Sequence, residues 1–353
     1  MTRVIDVDPV VQERRRFSYD ALGRLEQIVD SLDGKTEYYW DDAAGFGLGQ
    51  LRRVDGPDAD TRFEYDNFGR QERIEQTALG ATLFAEMDYG SATGRLQSIK
   101  VPALTSGTVQ YSLSYSSFGE LGLVEFNGST VWKAKGRNDA LRRVTKDIRG
   151  DVTLTRDYDP THHLMDELRA TAGGSAFVDR DSYQYRVDGR IENFDELVAG
   201  ETQRFGYDMR GRLSSWSRGA ANISYRYDPI GNQYLGASGT RSFGQGGAGP
   251  HMVTTSGSTS LTYDERGRRT GLGGGQTATY TNFDLPRTID PAPNWFSNDP
   301  TLTYAYDGFE QQIGHTSDNG DVEVRLGDLL ERHVVGGTTS MLYAVYAEGE
   351  RVA

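Results

Sequence analysis

The phrase Phe205-Gly206-Tyr207-Asp208-Met209-Arg210-Gly211-Arg212-Leu213 limits what this chain can fold into more than any other feature. Phe205 and Tyr207 stand two apart, which places both on one face of an extended strand. Asp208 then opens a turn. Type I turns favour Asp first, because its carboxylate accepts backbone N–H groups further on, and Gly last. Gly211 supplies the positive φ with which a chain re-enters a paired strand through a bulge. The phrase therefore predicts strand, turn, strand, with Leu213 and Trp216 as apolar contacts on the return limb.

The same phrase recurs at Tyr19-Asp20 with Gly23-Arg24, at Tyr65-Asp66 with Gly69-Arg70, and at Tyr263-Asp264 with Gly267-Arg268. Looser copies keep part of it: Tyr115 with Gly119, Tyr185 with Gly189-Arg190, Tyr227-Asp228 with Gly231, and Tyr89 with Gly94-Arg95 after one extra residue. Tyr158-Asp159, Trp40-Asp41, Asn138-Asp139, Tyr280-Thr281 and Tyr306-Asp307 read as degenerate copies. Anchors such as Trp40, Tyr65, Tyr89 and Tyr115, or Tyr185, Tyr207 and Tyr227, are separated by 20 to 26 residues. Self-similarity at such a period predicts a repeat architecture.

Composition agrees with short strands and tight turns. Hydrophobic residues make up 36% of the 353 positions, with 20 tyrosines and 43 glycines; tyrosine suits strands and glycine suits turns. The net charge of −13 argues against nucleic acid as a partner, since phosphate binding is driven by Lys and Arg. With no cysteine, disulfides, thiolate metal sites and a cysteine nucleophile are excluded. Residues 1–16 carry no signal-peptide pattern, and no stretch approaches the ~18 apolar residues of a membrane helix. Both ends look cut from something longer, since repeat phrases begin by Phe17 and Tyr343-Ala344-Val345-Tyr346 is still strand-like.

Between anchors, Asp33-Gly34, Asn127-Gly128 and Asn319-Gly320 suit two-residue type I′ hairpin loops. Residues 108–115 alternate as a strand with one face more buried. Only Thr161–Thr171 offers a short, weak helix. Two places break the rhythm and read as inserted loops within a single array: residues 236–257, rich in Gly and Ser, and 290–300, with Pro291, Pro293 and Pro300.

The Tyr-Asp-x-x-Gly-Arg phrase at this spacing resembles the YD repeat of the RHS-repeat family, which includes bacterial Rhs and wall-associated toxins, Tc-toxin C components and animal teneurins. Gly249-Pro250-His251-Met252 ahead of Tyr263-Asp264, then Tyr280-Thr281-Asn282-Phe283-Asp284-Leu285-Pro286-Arg287, is similar to the late part of an RHS array. Leu330-Glu331-Arg332 through Tyr346 to Ala353 is similar to the segment before the family's core terminus. The resemblance covers almost the whole chain. It implies an all-β fold: an antiparallel β-ribbon wound as a spiral, part of a hollow shell-like wall around a C-terminal toxin. In bacterial members an aspartyl autoprotease with an Asp-Pro-Leu-Gly-like motif releases that toxin. No such motif occurs here, so no protease residue carries over and this segment is expected to be wall only.

Other candidate chemistry is weaker. Gly244-Gln245-Gly246-Gly247-Ala248-Gly249 matches the dinucleotide string, but Pro250 follows and no helix begins there to face a phosphate. His162, His163, His251, His315 and His333 lack metal-ligand spacing. Asp55, Asp58 and Asp60 alternate like a calcium loop without its Gly and distal Glu. No G-x-S-x-G elbow occurs. Arg24, Arg70, Arg95, Arg190, Arg212 and Arg268 suggest either a ladder for an anion or, preferred here, pairing with a turn carboxylate or a tyrosine ring of the adjacent strand.

The expected function is a non-enzymatic shell segment that encloses or presents a passenger, without cofactor or metal. Its partners would be the remaining shell segments and a C-terminal toxin; the family suggests a bacterial secreted or cell-surface setting. Units that rely on stacked neighbours leave open strand edges, which predicts self-association. The alternative is a surface adhesion or carbohydrate-binding module, in which Tyr and Trp contact glycans.

Overall fold

The structure, a computed structural model, describes residues 2–8, 13–43, 46–137, 141–174, 176–292 and 299–352. Among these, nearly every element is a β-strand, and the helical exception is one 3-10 turn, Gln245–Gly247. The strand pairings are antiparallel between chain neighbours, as at Glu201–Tyr207 with Leu213–Arg218, and the chain therefore meanders.

Each anchor behaves alike. Gly206 pairs with Ser215 but Tyr207 pairs with Leu213, a one-residue slip at the tyrosine. The same slip falls at Tyr19, Trp40, Tyr65, Tyr89, Tyr185, Tyr227, Tyr280 and Tyr306. Its cause is the turn. Asp208 donates its N–H to the Arg212 carbonyl at 2.8 Å, and Gly211 donates to the Asp208 carbonyl at 2.9 Å, with Gly211 at φ 76°. A left-handed residue at this point adds one position to the return limb. Glycine bears that conformation without a Cβ clash.

The chain divides into two compact units: Met1–Ser112 with Tyr263–Val345, and Leu113–Thr262 with Tyr346–Ala353. In the first, Ile28, Tyr38, Val54 and Phe63 form a buried cluster, supported by Phe17, Leu25, Trp40, Leu51, Tyr65 and Ile74. Late strands of that unit lie against early ones. Arg287 bridges Asp33 and Asp58, Gln76 Nε2 donates to the Arg325 carbonyl, and the Tyr343 hydroxyl donates to the Pro102 carbonyl. These contacts advance together along both stretches, so the ribbon comes back over itself within this unit. In the second unit Val124 and Trp132 are buried, and Asp147 lies beneath Arg149 and Arg156. Glu348, in the turn between the paired strands Tyr346–Ala347 and Glu350–Arg351, reaches Arg137, and Glu350 reaches Arg149.

Several local expectations need correction. Most of the weak helix expected over Thr161–Thr171 belongs to the strand Met165–Ala172, whose pairing on both sides with Val152–Tyr158 and Ala176–Tyr185 outweighs a marginal helix preference. Residues 236–257 hold the strands Gly239–Phe243 and Val253–Ser256, which pair with each other, so Gly and Ser richness there marks turns of a further hairpin. Of the stretch 290–300, residues 293–298 lie outside the described residues, as does the Asn138-Asp139 copy.

Asn127 and Gly128 both have positive φ, as a type I′ loop requires. At Asp33-Gly34 and Asn319-Gly320 only the glycine does. The loop at Asn319 repeats the anchor turn instead: Gly320 donates to the Ser317 carbonyl, Ser317 donates to the Asp321 carbonyl, and the Ser317 hydroxyl stands in for the aspartate.

Candidate functional site

Asp208 organises its turn with both carboxylate oxygens. Oδ1 accepts the N–H groups of Arg210 and Arg212 at 2.9 Å, while Oδ2 accepts Arg212 Nε at 2.8 Å. Asp20, Asp66 and Asp264 repeat this arrangement with Arg24, Arg70 and Arg268. Asp228 does so with Asn232, whose side-chain amide donates at 2.8 Å. Substituted copies keep the backbone turn. Ser116 holds Gly119 after Tyr115, and Arg186 holds Gly189 after Tyr185. His163, Asp284 and Glu310 each adopt the positive φ that glycine takes elsewhere.

The second half of each arginine's role lies one repeat on. The Arg212 guanidinium stands 4.2 Å from the Tyr227 ring centroid, and the Tyr227 hydroxyl donates to the carbonyl of Leu213, the residue after that arginine. Arg70 repeats this with Tyr89 at 4.3 Å, the hydroxyl reaching the Gln71 carbonyl. Arg190 does so with Tyr207 and the Ile191 carbonyl, and Arg268 with Tyr280 and the Arg269 carbonyl. Arg24 stacks on Trp40, whose indole N–H reaches the Leu25 carbonyl at 2.8 Å. Arg95 closes the turn that is one residue longer, its carbonyl accepting from Gly90.

These anchors thus dock on the turn before them, through a cation over a ring and a donor on a strand carbonyl, while Tyr65 and Tyr185 keep the carbonyl contact, to Leu51 and Met165, after turns that end in Gln50 and Leu164 instead of arginine. The sequence-based alternatives of carboxylate or ring merge, since Arg24, Arg70, Arg190, Arg212 and Arg268 do both. What the sequence did not expose is the carbonyl acceptor, because any residue can present one. The spacing alone was its signal: the tyrosine or tryptophan always follows the arginine by 12 to 19 positions. Tyr227→Phe should lose about 1 kcal/mol for the hydroxyl, and a double-mutant cycle of Tyr227→Leu and Arg212→Met should show coupling of about 0.5–1 kcal/mol for the ring contact. Strict additivity in urea denaturation would refute the docking.

Charge follows the geometry. The backbone N–H of Arg212, then its guanidinium, holds Asp208 below its ordinary range. Arg24 holds Asp41 at about 2. Asp66 and Asp264 are also lowered, burial being outweighed by their arginines' hydrogen bonds. Burial raises the Tyr65, Tyr89 and Tyr185 hydroxyls. A carboxyl with a folded-state pKa below its unfolded value stabilises fully above the unfolded value, about 3.9, and loses that contribution as pH falls through the folded one. Asp307 and Asp181, raised by burial, act in the opposite sense. The lowered group is larger, so melting temperature should drop steeply between pH 4 and pH 2. A flat profile there would contradict the carboxylate turns.

The remaining motifs have structural partners. The Gly244–Gly249 string forms the 3-10 turn and adjoining coil, with φ 65° at Gly246, not the start of an α-helix. Asp55 and Asp60 both pair with Arg53, and Asp58 with Arg287. His251 Nδ1 meets Asn232 Oδ1 at 2.7 Å. His315 and His333 flank Glu323 at 3.9 and 3.6 Å. Among the described residues no group of three His, Asp or Glu is arranged to hold a metal ion, and no helix is long and apolar enough to cross a membrane.

No family model matches the chain. Toxin protein Tse5 of Pseudomonas aeruginosa is 29% identical over 196 residues, which are 53% of this chain and 14% of Tse5. Among solved structures, a Photorhabdus luminescens Tc holotoxin pore carrying a TccC3 mutation superposes with a TM-score of 0.74 at 14% identity, over 95% of this chain and 20% of that one. The TcdB2-TccC3-TEV crystal structure gives 0.72 at 14% identity, over 95% and 20%. TcdB2-TccC3 gives 0.69 at 12%, over 98% and 22%. The chain therefore spans a small part of each relative, and at these structural identities the likeness speaks to the fold: the all-β antiparallel repeat ribbon is that of the Tc-toxin chains.

Proposed function

With the repeat, the fold and the Tse5 alignment in agreement, the chain is an RHS/YD-repeat protein of the toxin type, and we propose that it is a non-catalytic wall segment that encloses or presents a passenger domain joined further along the polypeptide. The observation that carries this reading is the docking of successive anchors, Trp40, Tyr65 and Tyr89 among them, on the preceding turn. Such a chain draws much of its cohesion from successive neighbours, which suits a thin wall. A single array would run through both compact units. Its mechanism is containment: the wall excludes cytosol from the passenger, whose toxicity is expressed after export. Its partners are further shell segments and that passenger, and open strand edges supply self-association when the segment stands alone.

The test is limited proteolysis of the complete polypeptide that includes this chain. A passenger resistant to protease until the wall is cut supports containment; one digested as fast as when it is expressed alone overturns it.

A second reading, surface adhesion through saccharides, is favoured by one cavity. A space of about 610 Å³ is lined by Asp159, His162, Asp166, Tyr183, Gln184 and Tyr185. Aromatic faces beside carboxylate and amide groups suit a sugar ring. A saturable glycan hit lost on Tyr183→Ala would favour this reading.

A further inference from the structure

The third position of the repeat turn carries a large apolar side chain in six copies: Leu22, Phe68, Phe118, Ile230, Phe283 and Phe309. Turn chemistry gives no reason for this, because turn tips favour Gly, Asn, Asp and Ser. Four of the six stand largely in solvent, with exposures of 76% at Leu22, 78% at Phe68, 82% at Phe118 and 58% at Ile230, and Arg70 and Arg142 lie over one part of the Phe68 and Phe118 rings. Apolar groups repeated at one position and left in water point to something that covers them.

The other two show what such a side chain meets: Phe283 stands edge-on to Tyr306 at 5.2 Å, and Phe309, 44% exposed, is partly covered. Phe309 stands edge-on to Tyr38 and Phe63, with ring centroids 6.4 and 6.2 Å apart. Beside it the Tyr38 hydroxyl donates to the Gly308 carbonyl, and Glu310 pairs with Arg15. The fit is close: a Cβ on Gly308 would stand 2.1 Å from Val54 Cγ1. Within this unit, then, the tip of one ribbon layer is seated in the apolar face of another. Phe309 does not fill that face. An open cavity of about 400 Å³ remains alongside, lined by Phe17, Leu25, Trp40, Leu51 and Phe309 itself.

We infer that this cavity receives a turn tip from a second copy of the chain, so that two copies associate by seating Leu22, Phe68 or Phe118 beside Phe309. The chain carries both halves of the contact and already joins one pair internally, which makes another copy the partner of matching chemistry. The contact is apolar while the whole chain carries −13, so the association strengthens as salt screens the repulsion. It is distinct from pairing of open strand edges, because it uses side chains at turn tips. It rests on the wall reading only in treating ribbon layers as equivalent, and passenger protection succeeds or fails independently of it.

Sedimentation velocity of the full chain tests this, alongside Leu22→Ser/Phe68→Ser/Phe118→Ser and each single variant, with Trp40 fluorescence reporting on the cavity. The wild-type sedimentation coefficient should rise with concentration and salt. Phe68→Ser should weaken association roughly tenfold, and the triple variant more than that, with far-UV circular dichroism unchanged. A wild-type chain that stays monomeric at every concentration overturns the inference. Equal association by the variants does so too, and assigns the contact to strand edges. If the triple variant fails to fold, the single variants decide by the same criterion.

Discussion

Replacing Asp147 with alanine is expected to cost the unit that holds it about 3–5 kcal/mol, the usual result of removing one partner from a buried ionic group. The side chain is 1% exposed and serves three donors. Trp132 Nε1 reaches it at 3.0 Å, Arg149 Nε at 2.9 Å, and Arg156 on its other oxygen. Alanine would strand a buried indole N–H and leave both guanidinium groups only the exposed Glu350. Asp147→Asn keeps an acceptor for the indole but leaves the arginines Glu350 alone as countercharge, so it should lose part of the same stability. Asp157 provides the control. Its pair with Arg169 is half exposed, and Asp157→Ala should stay within about 1 kcal/mol. Hydrogen exchange along Lys146–Arg149 and urea denaturation are the readouts. An Asp147→Ala loss below about 1 kcal/mol would mean that these donors find other partners.

The second large effect belongs to a glycine that no repeat phrase marks. Gly314 pairs with Val324 in the neighbouring strand and has φ 152°. A Cβ there would lie 2.0 Å from the Glu323 carbonyl oxygen, which is backbone and has no rotamer to change. Gly314→Ala should therefore force the two strands apart and cost about 2–4 kcal/mol, combining overpacking with backbone strain. Gly23→Ala offers the contrast, with φ 80° and open space around its Cβ, and should cost only about 1 kcal/mol. Equal melting temperatures for the two variants would show that the strand pair at Gly314 yields more easily than its geometry suggests.

The anchor turns were legible because their chemistry is local. An aspartate that accepts two N–H groups ahead of it, and a glycine at positive φ, are demands a few residues can satisfy, and they leave a mark within six positions. The docking of Tyr227 on the Leu213 carbonyl was hidden, since a backbone acceptor carries no residue identity. Trp40 shows why the degenerate copies persist: the dock asks for a flat ring with one donor, which indole meets as well as phenol. His163 and Glu310 were opaque for a related reason. The turn asks for a backbone conformation that glycine makes easiest but does not monopolise. Contacts such as Asp33 with Arg287 join residues far apart in the chain, and no periodicity reports on them. The Thr161–Thr171 stretch failed as a helix because both flanks of that strand are paired, a tertiary fact that outweighs local preference.

Because these junctions ask only for the turn just before them, they are indifferent to how many units the ribbon contains, unlike the contacts of Arg287 with Asp33 and Asp58, which set early strands against late ones. A duplication or loss of one whole hairpin would leave each junction satisfied on both sides, while an insertion inside a turn would break one junction and spare the rest. Such a chain can change length over generations without ever being redesigned, its capacity growing or shrinking in whole steps.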